Sequence, residues 1–303
     1  LNATTANSSV YIGYQAVGTG VATGNDNVVI GCGAGTDLTS GSSNILLGKD
    51  SGENITTGSY NIVVGVNAME AAQASNQGCI AIGHQALMTE NSSADHCIAI
   101  GYDALKVHNA DAVNIAIGSY AGDAVTNGTR NTIIGYAAGS AQSTHNDTTY
   151  LGYNAGVGAT ASNCTVIGSD ACATGTMSGG NNTVVGHLAG TDLEAGSENT
   201  LVGGYAGYEL TSGASNVMVG YWAGKQTTDG TPAAVTEATE SVFIGTYAES
   251  AAEDRSNEIA IGYAAQGQGS NTIILGNAST AAIHCQDTSI SAPSDRRIKR
   301  DVK

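Results

Sequence analysis

Short aliphatic runs that end in glycine recur along the whole chain. The anchors are Gly13, Gly31, Gly48, Gly65, Gly83, Gly101, Gly118, Gly135, Gly152, Gly168, Gly186, Gly203, Gly220, Gly245, Gly262 and Gly276, spaced 16 to 18 residues apart almost throughout. A unit that short cannot bury its own apolar side, so a fixed period of this kind predicts a stack of coils.

The residue before each anchor is Ile, Leu or Val. Three before it stands Val or Ile, or a central block of Thr132, Thr149, Thr165, Thr183 and Thr200. These two flanking positions share one side of a strand. The middle position is apolar as well: Tyr11, Val29, Leu46, Val63, Ala81, Ala99, Ala116, Ile133, Tyr150, Val166, Val184, Leu201, Met218, Phe243, Ala260 and Ile274. Runs apolar on both sides mark strands buried on both faces. A single coil has one interior, so the second face calls for another layer, most simply an identical chain. The expectation is that the flanking pair forms the stack and that sister chains close the middle column, Val29, Leu46, Val63 and Ile133 included.

The rest of the unit is polar and patterned. Four before the anchor, Asn recurs as Asn27, Asn44, Asn61, Asn114, Asn131, Asn182, Asn199 and Asn216. Stacked about 4.8 Å apart, such amides can hydrogen-bond from coil to coil, a structural ladder. Three after the anchor stands Ala, except for Ser51 and Ser279, which predicts a tight site. The anchors, and glycines such as Gly35, Gly122 and Gly190 that follow this Ala, fit positive φ or close backbone approach. Polar turns such as Asn127-Gly128 and Ser212-Gly213 close the unit. The predicted fold is all-β: a parallel β-solenoid or β-roll of about sixteen coils, a rod about 75 Å long at about 4.8 Å per coil.

Predicted boundaries are a lead-in over 1–8, the repeat domain over 9–279, a linker over 280–293 and the start of another domain at 294–303. One interval, Gly220 to Gly245, is eight residues longer than the norm, with the extra material in Lys225 to Glu240. Solenoid insertions leave the stack as loops on one face. Tyr221, Trp222 and Tyr247 near its roots form the first candidate binding patch. Tyr also follows the anchor at Tyr14, Tyr102, Tyr136, Tyr153, Tyr221 and Tyr263. Such rings can stack on sugars or pack between strands and chains.

Composition narrows the class. The 303 residues include 42 glycines and two prolines, 41% are hydrophobic and 12% charged, which fits a β-structured repeat and not disorder. The net charge is −16. Half of the ten basic residues are Arg296, Arg297, Lys299, Arg300 and Lys303, leaving a strongly acidic body that repels nucleic acid and anionic lipid. No apolar stretch approaches a membrane span. No signal-peptide pattern opens the chain, and its first residue is Leu1, so a fragment or processed chain is expected. Cys32, Cys79, Cys97, Cys164, Cys172 and Cys285 include no CxxC, and free thiols are expected.

The units at 131–139, Asn-Thr-Ile-Ile-Gly-Tyr-Ala-Ala-Gly, and at 216–224, Asn-Val-Met-Val-Gly-Tyr-Trp-Ala-Gly, resemble the head repeats of trimeric autotransporter adhesins and the shaft repeats of bacteriophage tail fibres and tailspikes. The closing stretch from Ser294 to Val302 resembles the start of the intramolecular chaperone domain of phage tailspikes. This implies a homotrimer, assembled with help from that domain. It also implies a self-cleaving dyad of Ser294 and Lys299, with cleavage after Pro293 and the lysine taking the serine proton. The unit length departs from that of the adhesin heads, which are typically shorter.

Other chemistry finds little support. His84 and His187 share a position but lie six coils apart, and Asp50, Asp103 and Asp170 fall in separated coils, as do Asp37 and Asp192. No cofactor or metal is expected. The expected function is a structural and host-receptor-binding segment of a phage tail fibre in the virion, with carbohydrate as one receptor class. The alternatives are a trimeric adhesin head on a bacterial surface and a polysaccharide-degrading tailspike, which would need two carboxylates across a cleft.

Overall fold

A computed structural model describes residues 7–18, 21–72, 75–90, 95–109, 113–140, 144–224, 236–252 and 255–282. Ser294, Lys299, Cys285, the lead-in over 1–6 and most of the insertion lie outside these residues. The chain is a β-solenoid. Sixteen three-residue strands, from Val10–Ile12 to Ile273–Leu275, pair in parallel, each with the next coil's strand. The register never slips: Val28, Val29 and Ile30 face Ile45, Leu46 and Leu47, and Ile133 faces Tyr150. No helix occurs among the described residues.

The anchor glycines hold this register. All but the last, Gly276, have φ between +132° and +149°, as at Gly135 (+139°), a region open to glycine and strained for L side chains. A Cβ on Gly135 would also lie 2.1 Å from the carbonyl oxygen of Gly152, one coil on. The same clash recurs at Gly31, Gly83 and Gly186. Here backbone packs directly against backbone, and every coil must turn at the same place.

The structure corrects which side of the strand is inside. The middle residues Val29, Leu46, Val63, Ile133, Tyr150, Leu201, Met218 and Phe243 are fully buried within the coil. The flanking residues point outward instead: Ile45, Ile62, Ile117, Leu151 and Ile244 are each about 40% exposed. The reason is side-chain parity. The middle residue shares a side with the asparagine two positions earlier, and that column is buried too. A coil this narrow admits one side chain per strand. The aliphatic pair beside it therefore becomes an outer face.

The interior is completed in two alternative ways. Where glycine stands four after the anchor, an aliphatic residue three further on fills the core: Leu38 with Gly35, Ile55 with Gly52, Val125 with Gly122, Leu193 with Gly190 and Leu210 with Gly207. In other coils the residue four after the anchor is itself the filler, as with Met69, Leu87 and Leu105, all fully buried. The coils of Gly245 and Gly262 instead carry Glu249 and Gln266 there, bonded to each other outside the core. In two of these coils, Leu87 and Leu105 accompany the small middle residues Ala81 and Ala99. In those coils the next side of the solenoid also forms a short parallel pair, Thr89–Glu90 with Val107–His108.

The asparagines run through the interior as a ladder. Asn44 donates from its backbone N and from Nδ2 to Oδ1 of Asn27 (3.0 and 3.1 Å), and its Nδ2 also reaches the Gly58 carbonyl (2.9 Å). Asn61 repeats this on Asn44, Asn199 on Asn182 and Asn216 on Asn199. Asn131 receives Thr148 (backbone N 3.1 Å, Oγ1 2.8 Å) and itself takes Oδ1 of Asn114 through its backbone N. Cys79, Cys97 and Cys164 occupy the same column, buried and in no disulfide, and Cys172 is buried and unbridged elsewhere in the core. Burial raises the thiol pKa of Cys164 and Cys172, so these side chains behave as small apolar fillers. The column closes on fully buried Glu258, whose carboxylate accepts from Ser250 Oγ (2.5 Å) and the Gly269 backbone N (2.8 Å).

Candidate functional site: the aromatic corner

Directly after each strand the chain turns a corner, and there the solenoid carries its aromatic residues. The residue two after the anchor adopts a left-handed conformation in coil after coil. Asp50, Asn67, Asp103 and Asn154 suit it, since short polar side chains are at ease there. Tyr120 (φ 60°), Tyr205 (58°), Trp222 (55°) and Tyr247 (57°) do not. Bulky residues in this region carry strain that the rest of the fold must offset. Aromatics kept at strained surface positions, where Asn would sit more easily, point to a role for the rings themselves.

The rings form two runs. In the first, His84 stacks on Tyr102 (centroids 4.8 Å apart, planes at 12°), and Tyr120, Tyr136 and Tyr153 follow, the last two again stacked at 5.4 Å. Ser169 and Asp170 interrupt the corner. The second run starts at His187 and continues through Tyr205, Tyr221, Tyr247 and Tyr263. Trp222 lies flat on Tyr205 (4.3 Å, 10°), with Tyr208 tilted against both. Tyr102, Tyr136, Tyr153, Tyr221 and Tyr263 remain strongly exposed.

Of the residues singled out from sequence, Tyr221 contacts both Trp222 and Tyr247 in this second run. Tyr14 is exposed at the corner. The described residues before the insertion end at Gly224, two past Trp222. After it, Thr236 stands in the stack, its carbonyl accepting from the backbone of Thr211, Ser212 and Gly213. His84 and His187 do not meet, and Asp50, Asp103 and Asp170 stay apart.

Sequence reasoning missed one constellation. Asp103, scarcely exposed, binds Lys106 Nζ (2.9 Å) and lies 3.7 Å from His84 Nδ1. Burial, then the charge of Asp103, raises the pKa of Asp123 one coil on. The signal was the coil register itself: His84, one after its anchor, and Asp103, two after the next, fall side by side when successive units are stacked, and Lys106 and Asp123 share a column. Here an imidazole, an ammonium and two carboxylates flank the first aromatic run, a mixed polar rim beside ring faces. No group of three or more potential metal ligands occurs among the described residues, and they hold no helix long and apolar enough to cross a membrane. A concavity of about 360 Å³, lined by Gln266, Gln268, Ile273 and Leu275, lies at the last described coil.

No known protein family, no curated protein and no solved structure matches this chain.

Proposed function

We propose that the chain is a rod-like attachment segment of a phage tail fibre or tailspike. In this reading three copies pack through the outward aliphatic face, and each displays its aromatic corner to a host surface. One observation carries the reading: the outer side of a sixteen-stranded sheet is built of Ile, Val, Leu and Thr with no charged residue in either column. At about 4.8 Å per strand and about 10 Å across, the strip covers about 750 Å². That exceeds what most monomers leave contiguous and matches one partner's share of a standard interface. A second copy has the same rise per coil and matches it strand for strand, which a globular partner cannot do over this length.

The aromatic corner borders that face and stays at its rim. Rings with polar neighbours suit pyranose surfaces, whose C–H faces stack on aromatics while hydroxyls meet carboxylates and ammonium groups. Ile117→Lys combined with Leu151→Lys places charge on the outer face and nothing in the core. Under this reading the variant sediments as a monomer and keeps its β circular dichroism; an unchanged oligomer overturns the assembly. Replacing Tyr205, Trp222 and Tyr247 by Asn relieves left-handed strain. The variant is expected to keep its thermal midpoint and to lose retention on a glycan array; retention equal to that of the parent chain overturns the displayed-ring role.

A further inference from the structure

The outward face has one chemical irregularity, and it is a contiguous block. In the column three before the anchor, every residue is Val or Ile except in five successive coils: Thr132, Thr149, Thr165, Thr183 and Thr200. The paired strands place these threonines in direct register, each opposite the next along the sheet. They stand on the solvent side, because the middle residues between the two columns, Ile133, Tyr150, Val166, Val184 and Leu201, are fully buried. The companion column, Ile134, Leu151, Ile167, Val185 and Val202, stays aliphatic throughout.

Thr and Val have nearly the same shape, so the block alters chemistry and not packing volume. An interface of uniform Val and Ile carries little axial information. Parallel coils can slide by one rung, about 4.8 Å, and every apolar side chain still meets another. Such a slip forfeits one rung of overlap in sixteen. A polar stretch within an apolar interface removes this freedom, as a single buried polar residue fixes register in a coiled coil at some expense of stability.

We propose that the threonine block is the register mark of the self-association: in the assembled rod the hydroxyls of each copy meet the same five threonines of its neighbours. This inference rests on the assembly proposed above. Aligned, each hydroxyl finds hydroxyl partners across the interface. Slipped by one coil, Thr132 of one copy faces the Ile115 level of another, and at the far end Thr200 of that other copy faces the Val217 level of the first. Each end then buries a hydroxyl without a partner. Steric fit hardly changes, so hydrogen bonding alone discriminates.

The test co-expresses Ser40→Cys and Ser212→Cys chains, with Cys32 and Cys285 replaced by Ser in both. The mixed rods are labelled with a nitroxide, and pulsed electron resonance reads the long distance between the two sites in neighbouring copies. The sites lie ten coils apart, about 48 Å along the rod, so a slip of one rung moves this distance by nearly the full rise of about 4.8 Å. The chain with its threonines gives one narrow distance. Changing all five threonines to Val retains the oligomer, since burial is kept, but broadens the distance into several populations. Changing them to Ser restores the single distance. An oligomeric Val variant with one unchanged distance overturns the register role and leaves the assembly standing. Mixed distances in the parent chain also overturn it. A monomeric parent chain overturns both.

Discussion

A single backbone contact per coil decides whether the stack can exist. At Gly135 a methyl group meets both a disallowed φ and a carbonyl 2.1 Å away. Gly135→Ala should cost about 3 kcal/mol, the sum of left-region strain and overpacking, visible as a lowered urea midpoint. Gly269→Ala is the comparison: its φ is +115°, but nothing lies within 4 Å of a Cβ there, so only the conformational part is expected. A loss at Gly135 no larger than at Gly269 would refute the close-approach account. The anchors were legible in the sequence because glycine alone fits such a site. The left-handed corner was not, since Asp, Asn, Gln, Tyr and Trp all occupy it and leave no single-residue signature.

His145 gives the residue scale a pH dependence. Its ring is fully buried against Tyr150 (5.4 Å), and neither ring nitrogen has a hydrogen-bond partner. Burial lowers its pKa from 6.5 to about 4. The unfolded imidazole therefore takes up a proton that the folded one refuses between these values. The neutral ring's stability is complete above pH 6.5, falls as pH drops through the window, and levels off near pH 4 at a loss of about 3 kcal/mol. The difference in urea stability between the parent chain and His145→Phe should shrink or reverse with that profile as the pH is lowered. A difference independent of pH would contradict the buried neutral histidine.

At the scale of the coil, the two ways of filling the interior are exchangeable units. Gly122 would meet Ile133, Leu105 and Val125 if it bore a side chain, yet Leu87 and Leu105 hold the same position in other coils at φ near +50°. Gly122→Leu overfills its coil and Val125→Ala leaves it short; each alone should cost about 2 kcal/mol. Together they convert one packing mode into the other, and a double-mutant cycle should give a favourable coupling of about 1 kcal/mol or more. Strict additivity would show that the modes are not alternatives. The ladder predicts in the same way. Asn131→Leu strips Thr148 and the next-coil carbonyl of His145 of their partner and should cost about 2–3 kcal/mol, with faster amide exchange confined to coils near 131.

The period, the parallel pairing and the interior asparagines could all be read from the repeat, because each is a column with one dominant residue. The facing of the strand was misread, because Val, Ile and Leu populate both sides. The clue lay in combining two columns: the asparagine and the middle residue are two apart and share a side, so a buried amide ladder carries Leu46 and Ile133 inward with it. Residue size gave a second hint. The middle column varies from Ala99 to Phe243, as expected where neighbours such as Leu105 compensate inside a closed coil. The cluster of His84, Asp103, Lys106 and Asp123 escaped for another reason. Its members stand one, two and five residues after their anchors, and only Lys106 and Asp123 share a column, so a search down one column at a time never brings all four together.

Over the whole molecule, the inversion of the strand strengthens the case for association while moving the surface that mediates it. The columns left outside are Ile12, Ile30, Ile117, Leu151 and Ile244 with their neighbours, not Val29 and Ile133. This apolar strip runs the length of the rod beside an aromatic rim, on a chain whose net charge is −16. Long-range repulsion between acidic bodies opposes association, so the proposed assembly requires its contact on the uncharged strip, and salt should favour it by screening.

Light scattering coupled to size exclusion tests this most directly on the purified chain. The account predicts a mass three times that of the 30.2 kDa polypeptide, held on dilution. A stable, soluble 30.2 kDa particle with the aliphatic face in water would contradict it.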